Sequence, residues 1–113
     1  MINEKAFMNV SHKKLENFIQ KTFIKLDVPE EDAKICSNVL IRADLTGIDS
    51  HGINRLKMYV DRIQQKMQFP VTNCRIIQDK DSATVIDAGH GMGHVAAYRA
   101  MDIAIAKAKK FGC

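Results

Sequence analysis

Three side chains suited to proton transfer and carboxylate binding recur at four-residue steps, His51, Arg55 and Tyr59, with Ser50 just before them. On an α-helix each step of four turns the side chain by only about 40°, so the three would share one face and span about 12 Å. The guanidinium of arginine is a planar, two-pronged donor that fits a carboxylate. Histidine exchanges protons near neutral pH, and tyrosine offers a hydroxyl to a substrate oxygen. The set suits a small 2-oxo or 2-hydroxy acid, whose carboxylate and reacting oxygen are close neighbours. The same letters also describe the polar side of an ordinary solvated helix, with Ser50 as its N-cap. Spacing alone leaves both readings open.

A second region with chemical potential is the bend Ala88-Gly89-His90-Gly91-Met92-Gly93. Gly91-x-Gly93-x-x-Ala96 matches a loose form of the dinucleotide-binding fingerprint. Asp87 and Ala88, however, stand between the preceding apolar run and the first glycine. The ribose-binding acid of that fingerprint, about twenty residues on, would fall at or past Cys113. A tight strand-to-helix connection that uses glycine for its φ freedom explains the same residues and is preferred. His90 and His94 lie one helical turn apart, but no third ligand is evident, and no metal site is expected. Cys36, Cys74 and Cys113 are odd in number, far apart and without a Cys-x-x-Cys pair, which argues against a disulfide framework and a zinc site.

The elements that must carry these residues can be read from periodicity. Ser11 as N-cap, followed by Leu15, Phe18, Ile19, Phe23 and Leu26, predicts a helix over 11–26. Pro29 suits the first position of a second helix, with Glu30, Glu31 and Asp32 at its positive end. Cys36, Val39, Leu40 and Ala43 form its buried stripe and Gly47 ends it. A third helix is predicted from Asp49 or Ser50 to about Met67, burying Ile53, Leu56, Val60 and Ile63 and turning His51 and Arg55 elsewhere. Cys74–Gln78 and Ala83–Asp87 read as short strands, paired as a hairpin or lying in a larger sheet. A last helix follows, with Ala97, Ala100, Met101, Ala104, Ala108 and Phe111 as its packing face and Gly112 as its C-cap. The fold class is therefore mixed α/β, helices first. Two regions are expected, residues 1–70 as a helical segment and 71–113 as the start of an α/β domain.

The 113 residues suffice for one core but are few for a two-domain enzyme. Apolar and charged fractions of 46% and 27% exclude a disordered tail. The net charge of +4 is spread along the chain without aromatic interleaving, so a nucleic-acid partner is not expected, although a weakly basic binder remains an alternative. No stretch has the apolar length of a membrane span, and the first residues lack the pattern of a secretory signal. The expectation is a cytoplasmic protein.

The run Ala43-Asp44-Leu45-Thr46-Gly47-Ile48-Asp49-Ser50-His51-Gly52, with Arg55, Leu56 and Tyr59 after it, closely resembles the signature of the malate/L-lactate dehydrogenase family, which includes sulfolactate and ureidoglycolate dehydrogenases. Val85-Ile86-Asp87 entering Gly91-x-Gly93, then Ala100-Met101 and Ala104–Ala108, forms a second matching block. Pro29-x-x-Asp32-Ala33 is also family-like. The resemblance implies a fold that is not the Rossmann fold, a homodimer or larger self-association, and NAD or NADP bound mainly by later parts of the chain. It implies hydride transfer between nicotinamide and a small 2-hydroxy or 2-oxo acid. His51 resembles the proposed proton donor, and Arg55, Tyr59 and Ser50 resemble substrate-binding residues. Asp27 stands where the family commonly has glycine, and Ala88 and His90 replace a Gly and an Asn or Asp. Family members are much longer and carry a further histidine motif beyond the position of Cys113. An N-terminal fragment, inactive alone, is thus expected. The alternative is a non-catalytic helical interaction module.

Overall fold

A computed structural model of the chain describes residues 8–113. Helix α1, His12–Lys25, starts after Ser11, whose side chain makes no capping bond. Ile19 and Phe23, four residues apart, are fully buried, while Phe18, expected on the same stripe, faces solvent. The chain reverses at Asp27, which takes φ of 68°, and enters α2, Glu30–Leu45, with Pro29 at the N-cap position and not inside the helix. Glu30, Glu31 and Asp32 occupy its first turn. Ala33, Cys36, Ser37, Leu40 and Ile41 form its buried side; Val39 and Ala43 are half-buried. Beyond Leu45 the chain turns through Gly47, whose φ of 79° is glycine's province.

The predicted third helix is only partly formed. Two 3₁₀ turns, Asp49–His51 and Ile53–Arg55, precede α3, Leu56–Gln64, and Gly52 separates the two turns with extended backbone. At the far end Lys66 takes φ of 58°, so the helix stops short of Met67. Leu56 and Ile63 are buried as expected, whereas Ile53 and Val60 are half-buried. The cause of the break lies eight residues upstream. The Asp44 carboxylate accepts the Ile53 amide at 2.8 Å and fills the space where a Gly52 side chain would stand.

Strands β1, Arg75–Asp79, and β2, Thr84–Asp87, pair antiparallel with Ile76 opposite Ile86 and Gln78 opposite Val85, so Ile77 is the extra residue of a bulge. Helix α4, Gly93–Phe111, ends on Gly112 at φ of 83°, whose amide bonds the Ala108 carbonyl. Its expected packing face is uncovered: Ala97, Ala100, Met101, Ala104, Ala108 and Phe111 are exposed, and Val95 is its buried residue. Helix α4 instead packs by its first turns against α2. Arg99 fastens that contact, reaching the Asp32 carboxylate at 3.4 Å and the Thr72 carbonyl at 2.6 Å. Met92 and Val95 thus join Ile19, Phe23, Cys36, Leu40, Leu56 and Ile63 in one core. Burial, with the Asp32 charge adding to it, pushes the Cys36 thiol up to about 12, so it serves as an un-ionised packing group. Among the described residues no helix is long and apolar enough to cross a membrane.

Candidate active site

Ser50 is the joint of the site. Its hydroxyl lies 2.8 Å from His51 Nδ1, and its carbonyl accepts Arg55 Nε at 2.7 Å. A further bond, from the Asn54 side chain to the Asp49 carbonyl at 3.2 Å, closes the pair of turns. Ser50, His51 and Arg55 are all exposed. Helical periodicity therefore does not bring His51 and Arg55 together, and Ser50 is not a helix cap. The two turns fold the chain back so that one serine holds both neighbours through different atoms.

This arrangement has chemical consequences. With Nδ1 on the serine oxygen, His51 keeps Nε2 for a ligand, and the bond fixes which way the ring faces. With Nε on the Ser50 carbonyl and Nη1 3.9 Å from Met58 Sδ, Arg55 presents the Nη1/Nη2 end of its fork outward. A carboxylate on that end and a hydroxyl or carbonyl oxygen at His51 is the pairing the turn can offer.

Tyr59 is placed differently. It is half-buried, its ring 6.2 Å from Phe23 and 5.1 Å from His94, edge to face with the latter. Its hydroxyl is 3.4 Å from His94 Nε2. Burial raises the Tyr59 pKa, opposed by the charges of Arg62 and Arg55, so the phenol keeps its proton. Burial lowers the His94 pKa, so that imidazole stays neutral. The contact of His94 with Tyr59 is not legible in the sequence, where His94 reads only as half of a metal pair with His90. No spacing rule connects it to Tyr59, thirty-five residues away. Asp44 and Gly52 were also missed as the parts that shape the turn, though a glycine inside a proposed helix was the available signal.

The glycine bend does not suit a nucleotide pyrophosphate. Gly91 is packed so closely on Thr72 that a Cβ would come within 2.7 Å of it, which explains the glycine by contact. The carbonyls of His90 and Gly91 accept bonds from the Phe69 amide and the Gln68 side chain, and the Met92 amide is taken by Thr72 Oγ1. The strand before the bend belongs to an antiparallel hairpin, not to the parallel βαβ unit that a dinucleotide crevice needs.

Residues 10–113 match the family described as malate/L-lactate dehydrogenase. The chain is 42% identical over 109 residues to a malate dehydrogenase of Pyrococcus horikoshii, covering 96% of this chain and 30% of that protein. It is 36% identical over 105 residues to an L-sulfolactate dehydrogenase of Methanothermobacter thermautotrophicus, covering 93% of this chain and 31% of that one. The solved structure of malate dehydrogenase from Pyrococcus horikoshii superposes with a TM-score of 0.93 over 99% of this chain and 32% of its own, at 42% identity. The sulfolactate dehydrogenase of Methanocaldococcus jannaschii does so with a TM-score of 0.87 at 36% identity, over 90% and 30% of the two chains. The chain thus spans about 30% of the length of the curated relatives it matches.

Proposed function

The chain belongs to the malate/L-lactate dehydrogenase family, and from that premise we propose that it carries the substrate-binding, proton-transferring part of a 2-hydroxyacid dehydrogenase. The observation that carries the reading is the exposed pair of turns in which Ser50 holds both His51 and Arg55. Arg55 receives the substrate carboxylate on the outward end of its guanidinium. His51 Nε2 takes the proton from the substrate hydroxyl on oxidation and returns it to the oxo oxygen on reduction, while Nδ1–H stays on the serine oxygen in both states. Tyr59 and Ser50 add hydroxyls to the substrate's oxygens. The chemistry that a bound nicotinamide, NAD or NADP, supplies is hydride exchange at C2. Its binding is assigned to parts of a family-length protein outside these 113 residues, so these residues alone are expected to be inactive. The same reading makes the enzyme cytoplasmic and a homodimer or larger assembly.

The experiment is a pair of variants in the family-length protein, assayed with malate, lactate and sulfolactate. His51→Ala is expected to lower kcat by about a hundred- to ten-thousandfold, the usual range for a general acid–base. Arg55→Lys keeps the charge and loses the planar fork, so it is expected to act mainly through KM, costing about 1.5–3 kcal/mol in kcat/KM. An unchanged kcat in His51→Ala would refute the proton-transfer role.

A further inference from the structure

The contact between Tyr59 and His94 has a direction that the buried atoms decide. His94 Nδ1 is buried and has no hydrogen-bond partner among the described residues, while Nε2 lies 3.4 Å from the Tyr59 hydroxyl, at the long end of hydrogen-bonding range. A neutral imidazole carries one N–H. If that proton sat on Nδ1, an N–H donor would be buried without an acceptor, whereas the large majority of buried side-chain polar atoms are hydrogen-bonded. Tyr59 would also have to donate to Nε2, committing the one proton a phenol has. If the proton sits on Nε2, the donor is paired with the Tyr59 oxygen, and only a lone pair at Nδ1 goes unmatched. The T-shaped ring contact and the Phe23 ring beyond it keep the two groups facing each other.

We propose that His94, as the Nε2–H tautomer, is a positioning residue that donates to the Tyr59 oxygen and thereby leaves the Tyr59 hydroxyl proton for a substrate oxygen. This rests on the reading of Tyr59 as a substrate-binding residue. It adds α4 to the site: the first turn of that helix orients a hydroxyl on α3, which the sequence placed beside Arg55 with nothing to aim it. The depressed basicity of the buried imidazole and the retained phenol proton both agree with a neutral donor–acceptor pair.

The test joins NMR of the ring nitrogens with kinetics, both on the family-length protein. In isotopically labelled histidine spectra, the signal that disappears in His94→Gln is expected to show a proton on Nε2. In assays with a 2-oxo acid, Tyr59→Phe is expected to raise KM by about tenfold, and His94→Leu to raise it similarly. His94→Gln, which still offers an N–H near that place, is expected to recover KM to within about threefold of wild type. A proton on Nδ1 overturns the proposal and leaves Tyr59's substrate role intact. A Gln variant as impaired as Leu, or a Leu variant with unchanged KM, overturns it in the same way. A silent Tyr59→Phe overturns it by removing Tyr59 from the substrate altogether. Should His94→Leu fail to fold, the tautomer and the Gln variant still decide.

Discussion

Residues that share a role here are joined by bonds rather than by sequence phase. Ser50 reaches His51 with its hydroxyl and Arg55 with its carbonyl, and His94 reaches Tyr59 across thirty-five positions. The burial that keeps His94 neutral also makes stability depend on pH. Its folded-state pKa is lowered from the ordinary 6.5, so in the window between the two values an unfolded chain binds a proton that the folded chain refuses. Stability contributed by this group is complete above that window and is lost as pH falls through it. Denaturant midpoints are therefore expected to drop as pH falls below about 6.5, the ordinary histidine value, and His94→Gln to remove part of the drop. A Gln variant that follows wild type across this range would show that His94 is not the group responsible. The chemical types in the site were legible in the sequence, and so was the family to which they belong. Two small departures from the family pattern also find their reason at this scale. Asp27 and His90, standing where glycine and Asn or Asp are usual, both hold positive φ, at 68° and 57°. Asp and His are among the residues that tolerate such backbone best.

At the level of elements, boundaries set by local chemistry were readable and the one set by a distant side chain was not. The chain reversal near Pro29, the turn at Gly47, the hairpin and the Gly112 cap all follow from residues within a turn of where they act. The helix predicted through His51 failed because Asp44 enters from α2 and takes the Ile53 amide. Periodicity carries no information about such an insertion. The insertion has a direct test in Gly52→Ala. The added Cβ would meet Asp44 Oδ1 at 1.8 Å and its Cγ at 2.1 Å, so either the carboxylate or the turn must move. Gly52→Ala alone is expected to destabilise by about 1–3 kcal/mol, the range for overpacking. Asp44→Ala alone leaves the Ile53 amide without its acceptor and is expected to cost about 1–3 kcal/mol. Combined, the two should cost clearly less than their sum, because the second alanine removes the atoms that the first one strikes. Simple additivity in a denaturation cycle would mean that the turn avoids Asp44 by another route.

Taken whole, the molecule is longer than its chain length requires. Its radius of gyration is 16.6 Å and its extents are 54 × 32 × 25 Å, against about 13 Å for the radius of a compact domain near 100 residues. The core lies among α1, α2, α3 and the start of α4, while the hairpin and the rest of α4 project from it. The small-residue face of α4, expected from the sequence to be a packing surface, therefore stands exposed. Two strands cannot form a layer broad enough to cover it. An apolar groove of about 530 Å³ runs along α4 beside Val39, lined by Ala97, Tyr98, Met101 and Ile105. On the hairpin Ile76, Ile77 and Val85 are each more than half exposed, at 60%, 65% and 51%. Apolar surface on this scale is seldom left in water. A polypeptide of these 113 residues is therefore expected to self-associate in sedimentation velocity at concentrations of about 10–100 μM, the range in which exposed apolar faces and strand edges drive association. Ile77→Lys together with Met101→Glu should weaken that association while leaving the helical circular dichroism in place, since neither side chain belongs to the core. A single monomeric boundary for the unmodified polypeptide would mean that the hairpin and α4 close over their own apolar surface in solution, which their burial pattern argues against.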